Sequence, residues 1–209
     1  MSAPRRPFGQ AEARREALAH LDAGRLVVLP TDTVYGIAAR PGKGAALLMQ
    51  RFHPRDSGPP WRMLPLLIAE TSMADAVARI APDARRLMRR FWPGALTLLL
   101  PPSAVMRRWG QVIAVRQPAH EGLRDFLRAA GGWLVVWRAA HSGEPSATNA
   151  EDAARNVGDE VALILDDGPT THGLRSTVVD ATTSPLRLVQ RGALPLSALR
   201  AVVESLRLP

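Results

Sequence analysis

The sequence LVVLPTDTVYG, residues 26–36, joins a short apolar run to a polar turn. The apolar run stops at a proline, and two threonines, an aspartate and the chain's single tyrosine follow before a glycine. Apolar runs of about four to eight residues between turn formers are typical of buried strands. Ligands commonly bind where such strands end in α/β sheets. We therefore predict a strand that ends in a candidate binding turn, although an ordinary strand-to-loop turn has the same composition.

Helices and strands are predicted to alternate along the chain, which is typical of α/β layers around one sheet. Asn149 is the expected N-cap of one helix, because its side chain can accept from a free backbone N–H. The Gly- and Pro-containing stretch 54–62 is predicted to be a loop. Apolar spacing predicts helices near 9–23, 43–52, 72–90, 120–129, 149–156 and 196–206. Apolar runs predict strands at 26–30, 64–69, 96–100, 111–116, 133–137, 161–165, 176–180 and 186–190.

Composition narrows the class of protein. The 209 residues are 46% hydrophobic, which is enough to bury a core without cross-links. The absence of cysteine excludes disulfides, a thiolate nucleophile and a cysteine-bound metal. The apolar runs are far shorter than the roughly 20 residues that cross a bilayer, and no secretory signal follows Arg5 and Arg6. We therefore expect a cytoplasmic protein that makes no membrane contact.

The basic side chains are almost all arginine. The net charge is +8, and Lys43 is the one lysine among 27 basic residues. A guanidinium binds phosphate with two hydrogen bonds, so a basic surface suits nucleotides and RNA backbones. A GC-rich genome would also enrich arginine, but it would not set the sign of the net charge. The charge therefore favours a polyanionic ligand.

Several segments resemble the motifs of the YrdC/Sua5/YciO family, and they occur in the family's order. The turn at 30–36 resembles its Pro-Thr-x-Thr-x-Tyr-Gly motif. The matching segments cover roughly residues 10–200, so the chain is identified as a member of this family. The other resemblances are 91–97 to Trp-Pro-Gly-x-Leu-Thr, 114–118 to Val-Arg-x-Pro, 142–145 to Ser-Gly-Glu-Pro, 176–180 to Ser-Thr-Val-x-Asp and 191–192 to Arg-x-Gly.

The resemblance implies a fold and a reaction. The fold would be a single YrdC-like domain over 1–209, with a twisted mixed parallel and antiparallel sheet flanked by helices, and without the extra C-terminal domain of longer Sua5 proteins. Its concave face would be basic. The family makes threonylcarbamoyl-adenylate for tRNA modification from ATP, L-threonine and bicarbonate, and Mg²⁺ would bridge phosphate oxygens. The amine of threonine forms a carbamate, which attacks the α-phosphate and expels pyrophosphate. The protein would be a nucleotidyltransferase.

The resemblance also assigns residues to the amino-acid substrate. Thr31 and Thr33 would line the substrate end, and Tyr35 would close a wall. Arg116 would hold the carboxylate of threonine with two hydrogen bonds, which a lysine cannot do. Ser176 would donate its hydroxyl to the amino acid. Each residue also has a structural explanation, as a turn former, a solvated strand end or an element boundary.

A second set of residues is implied to bind the nucleotide. Arg191 would reach its phosphates and would share one anion-binding cavity with Arg116 and Ser176. The remaining members of this set are Arg51, Ser142 and Thr148.

The chain departs from the family pattern at three places. Residues 51–54 are Arg-Phe-His-Pro where the family has Lys-x-Arg-Pro, Ala69 replaces a histidine, and 138–140 are Arg-Ala-Ala instead of Ser-Ala-Asn. These changes leave a second hypothesis open, in which a catalytically weakened protein binds tRNA or double-stranded RNA through its basic face. No pair of histidines has the i, i+4 spacing of a helical zinc site, so no metal site is predicted.

Overall fold

The computed structural model describes residues 2–52 and 63–208. In this part of the chain, ten strands form one mixed sheet and seven α-helices surround it. The strands are β1 (Arg5–Pro7), β2 (Val27–Leu29), β3 (Gly36–Ala39), β4 (Met63–Ile68), β5 (Leu96–Leu100), β6 (Val112–Arg116), β7 (Trp133–Arg138), β8 (Leu163–Asp166), β9 (Thr177–Asp180) and β10 (Arg187–Gln190). The helices are α1 (Ala11–Asp22), α2 (Lys43–Phe52), α3 (Ala74–Val77), α4 (Pro82–Phe91), α5 (Glu121–Ala129), α6 (Ala150–Val157) and α7 (Leu196–Arg200).

The strand order explains how distant motifs meet. Across the sheet the order is β1-β8-β2-β3-β7-β4-β6-β5-β9-β10. The pairs β1/β8, β2/β8, β4/β6 and β5/β9 are parallel, and the other neighbours are antiparallel. This arrangement confirms the predicted α/β fold with a mixed sheet. No helix among residues 2–52 and 63–208 has the length and apolar character of a membrane span.

The sheet separates two apolar layers. Successive residues of a strand point to opposite faces, so Leu66 and Leu67 belong to different cores. On one face, Leu67 lies in the same buried cluster as Leu21 of α1 and Phe126 of α5. On the other face, Leu66 shares a larger cluster with residues of α2, α4 and α6. Burial on both faces fixes the register of the central strands.

Two strands were not predicted from the sequence. The residues of β1 are all exposed and show no apolar alternation, and this strand exists because it pairs with β8. The residues of β3 are Gly-Ile-Ala-Ala, all buried, and they follow the polar turn at once. β3 pairs antiparallel with β2, so the stretch 26–36 forms a hairpin rather than a strand that runs into a loop.

The predicted helix at 196–206 is too long. α7 ends at Arg200 because the following residues return to the sheet edge. There the backbone N–H of Leu188 donates to the carbonyl of Arg207, and the N–H of Arg207 donates to that of Leu186. These bonds require extended backbone at Arg207. The predicted N-cap at Asn149 is confirmed, because its side chain accepts from the backbone N–H of Asp152. The predicted loop 54–62 lies outside the described residues.

Candidate functional site

A cavity of about 250 Å³ lies on the sheet face that α1 and α5 partly cover. Leu67 and Val136 pack with the core that contains residues of α1 and α5, and both also line this cavity. The cavity and these two helices therefore lie on the same face of the sheet. The floor is largely apolar, with side chains such as Leu99 and Val178. Polar side chains stand where the strands end. The polar and charged lining residues are Thr31, Thr33, Tyr35, Thr97, Arg116, Arg138, Arg175, Ser176 and Gln190.

The turn between β2 and β3 is organised by one hydroxyl. The Oγ1 of Thr31 donates to the carbonyl of Val34 at 2.7 Å. It also accepts from the backbone N–H groups of Thr33 and Val34, at 3.0 and 3.2 Å. Short polar side chains commonly close turns in this way. Thr31 therefore acts as a turn former here, and it also lines the cavity.

Arg116 is the central charged group of the cavity, and its side chain is almost fully buried. Its Nε donates to the carbonyl of Gly94 at 2.9 Å, its Nη1 to Thr33 Oγ1 at 2.5 Å and its Nη2 to Asp32 Oδ1 at 2.5 Å. Burial lowers the pKa of Arg116, whereas Asp32 acts in the opposite direction. Asp32 is equally buried, and its Oδ2 has no partner among the described residues. Within these residues, one N–H on each terminal nitrogen of Arg116 stays available to a ligand.

A second polar pair lies on the neighbouring strands. The hydroxyls of Thr97 in β5 and Ser176, just before β9, lie 2.8 Å apart and share a hydrogen bond. The side-chain amide of Gln190 donates to the carbonyl of Ser176 at 2.9 Å. A Cβ on Gly192 would lie 2.3 Å from the carbonyl oxygen of Arg175, so only glycine permits this close approach of the two segments. Ser176 is therefore positioned by two contacts, its hydroxyl by Thr97 and its backbone carbonyl by Gln190.

The hydroxyl of Tyr35 links the turn between β2 and β3 to the loop after β8 by hydrogen bonds. It donates to the carbonyl of Gly168 at 2.7 Å and accepts from the backbone N–H of Asp167 at 3.1 Å. Burial raises the pKa of Tyr35 to about 12. The phenol is therefore neutral at physiological pH, and Tyr35 lines the cavity.

Arg138 and Arg175 add two guanidinium groups to the cavity lining. Arg138 donates from Nη1 to the carbonyl of Glu144 at 2.8 Å and from Nη2 to that of His141 at 2.5 Å. Burial lowers the pKa of both arginines, and repulsion by Arg138 lowers the pKa of Arg175 further. The arginine in place of the family's serine thus lines the cavity and anchors the 141–144 segment.

The structure brings together the four residues implied to act on the amino acid. Thr31, Thr33, Arg116 and Ser176 all line the cavity. The four residues implied to bind the nucleotide lie outside its lining, and their roles stay predictions. Arg51 contacts Glu160, Ser142 is exposed, Thr148 donates to Asp152 at 3.2 Å, and Arg191 is exposed.

Arg191 lies at a neighbouring cavity of about 280 Å³. The arginine of an Arg-x-Gly motif stands two residues before the glycine. In this chain the residue two positions before Gly192 is Gln190, not Arg191. A β-bulge inserts Val189 between the paired residues Leu188 and Gln190. Both Val189 and Gln190 line the main cavity. The chain therefore has an amide where the spacing of the motif calls for a guanidinium.

Sequence reasoning missed four of the polar groups at this site. Asp32 stands inside the turn motif, but nothing local reveals its partner, Arg116, 84 residues away. Thr97 belongs to a recognised motif without an assigned role. Arg175 directly precedes Ser176, and Gln190 is found only when the Arg-x-Gly spacing is counted back from glycine. For Arg175 and Gln190, the available signal in the sequence was their position next to a family motif.

Fold and cavity together define an α/β protein with one mixed sheet and a cavity that has buried guanidinium and hydroxyl groups. The family model for Sua5, YciO and YrdC proteins, described as "Telomere recombination", matches residues 19–192. The chain belongs to this family.

Two relatives and one solved structure agree with this family assignment. The threonylcarbamoyl-AMP synthase of Pyrococcus abyssi is 34% identical over 199 residues, which is 93% of this chain. A putative threonylcarbamoyl-AMP synthase of Mycobacterium tuberculosis is 36% identical over 193 residues, 88% of this chain and 85% of the relative. The crystal structure of P. abyssi Sua5 complexed with L-threonine matches all of this chain and 62% of that chain, with a TM-score of 0.85 and 31% identity. This chain spans 58% of the length of the P. abyssi relative.

Proposed function

We propose that the protein is a threonylcarbamoyl-AMP synthase, which makes threonylcarbamoyl-adenylate from ATP, L-threonine and bicarbonate. The product would serve the threonylcarbamoyladenosine modification of tRNA in the cytoplasm. One observation carries the proposal: Arg116 and the hydroxyls of Thr33 and Ser176 line a single cavity. The names of the relatives and a structural neighbour complexed with L-threonine support the same reading.

Arg116 would determine where the carboxylate of the amino acid binds. The N–H groups left on its two terminal nitrogens suit the two oxygens of a carboxylate. Asp32 and Thr33 fix the plane of the guanidinium, so the fork is oriented before a ligand arrives. Ser176 supplies a hydroxyl that can bind the same amino acid. The substrate is therefore held by groups that need little rearrangement.

The chemistry requires positioning rather than a covalent nucleophile. Threonine's nitrogen and bicarbonate form a carbamate with loss of water, and a carbamate oxygen then bonds to the α-phosphorus as pyrophosphate leaves. The protein's part is to align these groups and to balance the phosphate charge. No group of three or more histidine and acidic residues in the described part of the chain could hold a metal. Mg²⁺ would enter bound to the phosphates of ATP, as part of the substrate.

Pyrophosphate release tests this proposal. Purified protein is incubated with MgATP, L-threonine and bicarbonate, and pyrophosphate is measured by an enzyme-coupled assay. We expect release that requires threonine and bicarbonate together and that D-threonine does not support. An Arg116→Ala variant purified in parallel controls for contaminating activity. Release that is absent, or that continues without threonine, would contradict the proposal.

The charge of the chain favours an additional property, the binding of tRNA or double-stranded RNA. A net charge of +8 carried by arginine suits contacts with phosphates rather than with bases. Such binding weakens steeply with salt, so we expect at least a tenfold loss of tRNA affinity between about 50 and 200 mM salt. Filter binding measures it. An affinity that does not change with salt, or no retention of RNA, would rule this property out.

A further inference from the structure

The cavity carries an excess of positive charge. Three arginines line it, and its described lining residues include no carboxylate. The charge of Arg116 is balanced by its ion pair with Asp32. Arg138 donates to two backbone carbonyls, and the carboxylate of Glu144, which is outside the cavity lining, attracts its guanidinium, whereas Arg175 has no acidic partner among the described residues. An excess charge therefore remains beside the apolar floor.

Arg175 is placed unfavourably for a residue with only a structural role. Within the described residues its guanidinium has no hydrogen bond and no ion pair. It lies close enough to Arg138 for the two charges to repel each other. Arg175 is exposed and Arg138 is half-buried, and two like charges near one another raise the free energy of the empty protein. A bound anion would remove that cost, which is why such pairs often mark functional sites.

We propose that Arg138 and Arg175 form a phosphate-binding subsite at the cavity rim, where they hold the phosphate chain of a nucleotide. This inference rests on the proposed function, because it assigns the second substrate to the same cavity. Two adjacent guanidinium forks match a group with several charged oxygens better than they match a single carboxylate. The position of Gln190 supports the assignment. The guanidinium missing there is replaced by groups that line the same cavity from β7 and from the start of β9.

Titration calorimetry with inorganic pyrophosphate tests the subsite directly. We expect Arg175→Ser and Arg138→Ser each to weaken pyrophosphate binding at least about tenfold, and the double variant about a hundredfold. Arg15→Ser is the matched control, because Arg15 is an exposed arginine outside both cavities and removes the same charge. An equal loss in the control would mean that net charge alone decides the affinity, and that would overturn the subsite. Unchanged affinity in the double variant would overturn it as well.

L-threonine binding separates a local effect from a structural one. Arg138 also anchors the 141–144 segment, so Arg138→Lys is included as a variant that retains the charge. We expect the Arg175→Ser variant to bind threonine like the wild type and Arg138→Lys to lose less pyrophosphate affinity than Arg138→Ser, because the lysine retains the charge but not the fork. If threonine binding falls in parallel with pyrophosphate binding, the two arginines act through the fold and the subsite is wrong. A wild type that binds pyrophosphate but fails the pyrophosphate-release assay would refute the proposed function and leave the subsite standing.

Discussion

A buried ion pair sets the geometry of the binding turn. Asp32 and Arg116 are both nearly inaccessible to solvent, and Nη2 of the arginine lies 2.5 Å from Oδ1 of the aspartate. Each charge loses its hydration on burial, so neither is stable without the other. The same pair orients the guanidinium toward the cavity. At the scale of the residue, stability and ligand recognition therefore share one contact.

Replacement of Asp32 by asparagine should destabilise the protein strongly. The variant Asp32→Asn keeps the shape of the side chain but leaves Arg116 buried without a counter-charge. We expect the free energy of unfolding to fall by about 3 to 5 kcal/mol, measured by urea denaturation. Asp22→Asn is the control, because Asp22 pairs with Arg40 at the surface and should cost about 1 kcal/mol or less. Equal effects of the two substitutions would contradict the account of the buried pair.

The raised pKa of Tyr35 predicts how the stability of the protein changes at alkaline pH. Its pKa is raised from 10.0 to about 12, so the folded protein keeps the phenolic proton at pH values where the unfolded chain loses it. The contribution of Tyr35 to stability is thus complete below pH 10 and is lost as the pH rises through 12. Tyr35 is the only tyrosine, so tyrosinate absorbance follows this group alone. We expect a midpoint well above pH 10. A midpoint near pH 10 while circular dichroism still shows the native fold would contradict the burial argument.

At the scale of the element, α6 depends on its N-cap. The Asn149 side chain accepts from the N–H of Asp152 at 2.8 Å. In contrast, the N-cap of α1, Gln10, makes no side-chain capping bond. We expect Asn149→Ala to lower the free energy of unfolding by about 1 kcal/mol and Gln10→Ala to change it by a few tenths at most, about the usual surface effect. Thermal unfolding of both variants measures this difference. A larger loss for Gln10→Ala would show that the cap assignment is wrong.

Elements with a strong local pattern were predictable from the sequence, and those made by pairing were not. The predicted helix at 43–52 and strand at 96–100 coincide with α2 and β5, because their apolar spacing is regular. By contrast, β1 has only exposed residues, and three of the four residues of β3 are glycine or alanine. β1 depends on the distant strand β8, and β3 lies between its neighbour β2 and the distant strand β7. The early end of α7 has the same origin, because Arg207 pairs beside β10.

At the scale of the whole molecule, the strand order assembles the site. The adjacent strands β6, β5 and β9 bring Arg116, Thr97 and Ser176 to one cavity, although these residues are far apart in sequence. The family motifs identified the residue types, but strand order and the bulge at Val189 decide which of them line the cavity. The sequence could not show that Arg191 lies in a different cavity or that Arg175 lines this one.

The central claim is that the guanidinium of Arg116 binds the carboxylate of threonine. Titration calorimetry of L-threonine with the wild type and with Arg116→Lys tests it most directly, and Arg15→Lys serves as the control. Circular dichroism confirms that each variant is folded. We predict that the wild type and the control bind threonine alike, whereas Arg116→Lys binds about thirty- to a hundredfold more weakly, because a lysine cannot form the paired contact. Equal affinity of folded Arg116→Lys and wild type would contradict the account.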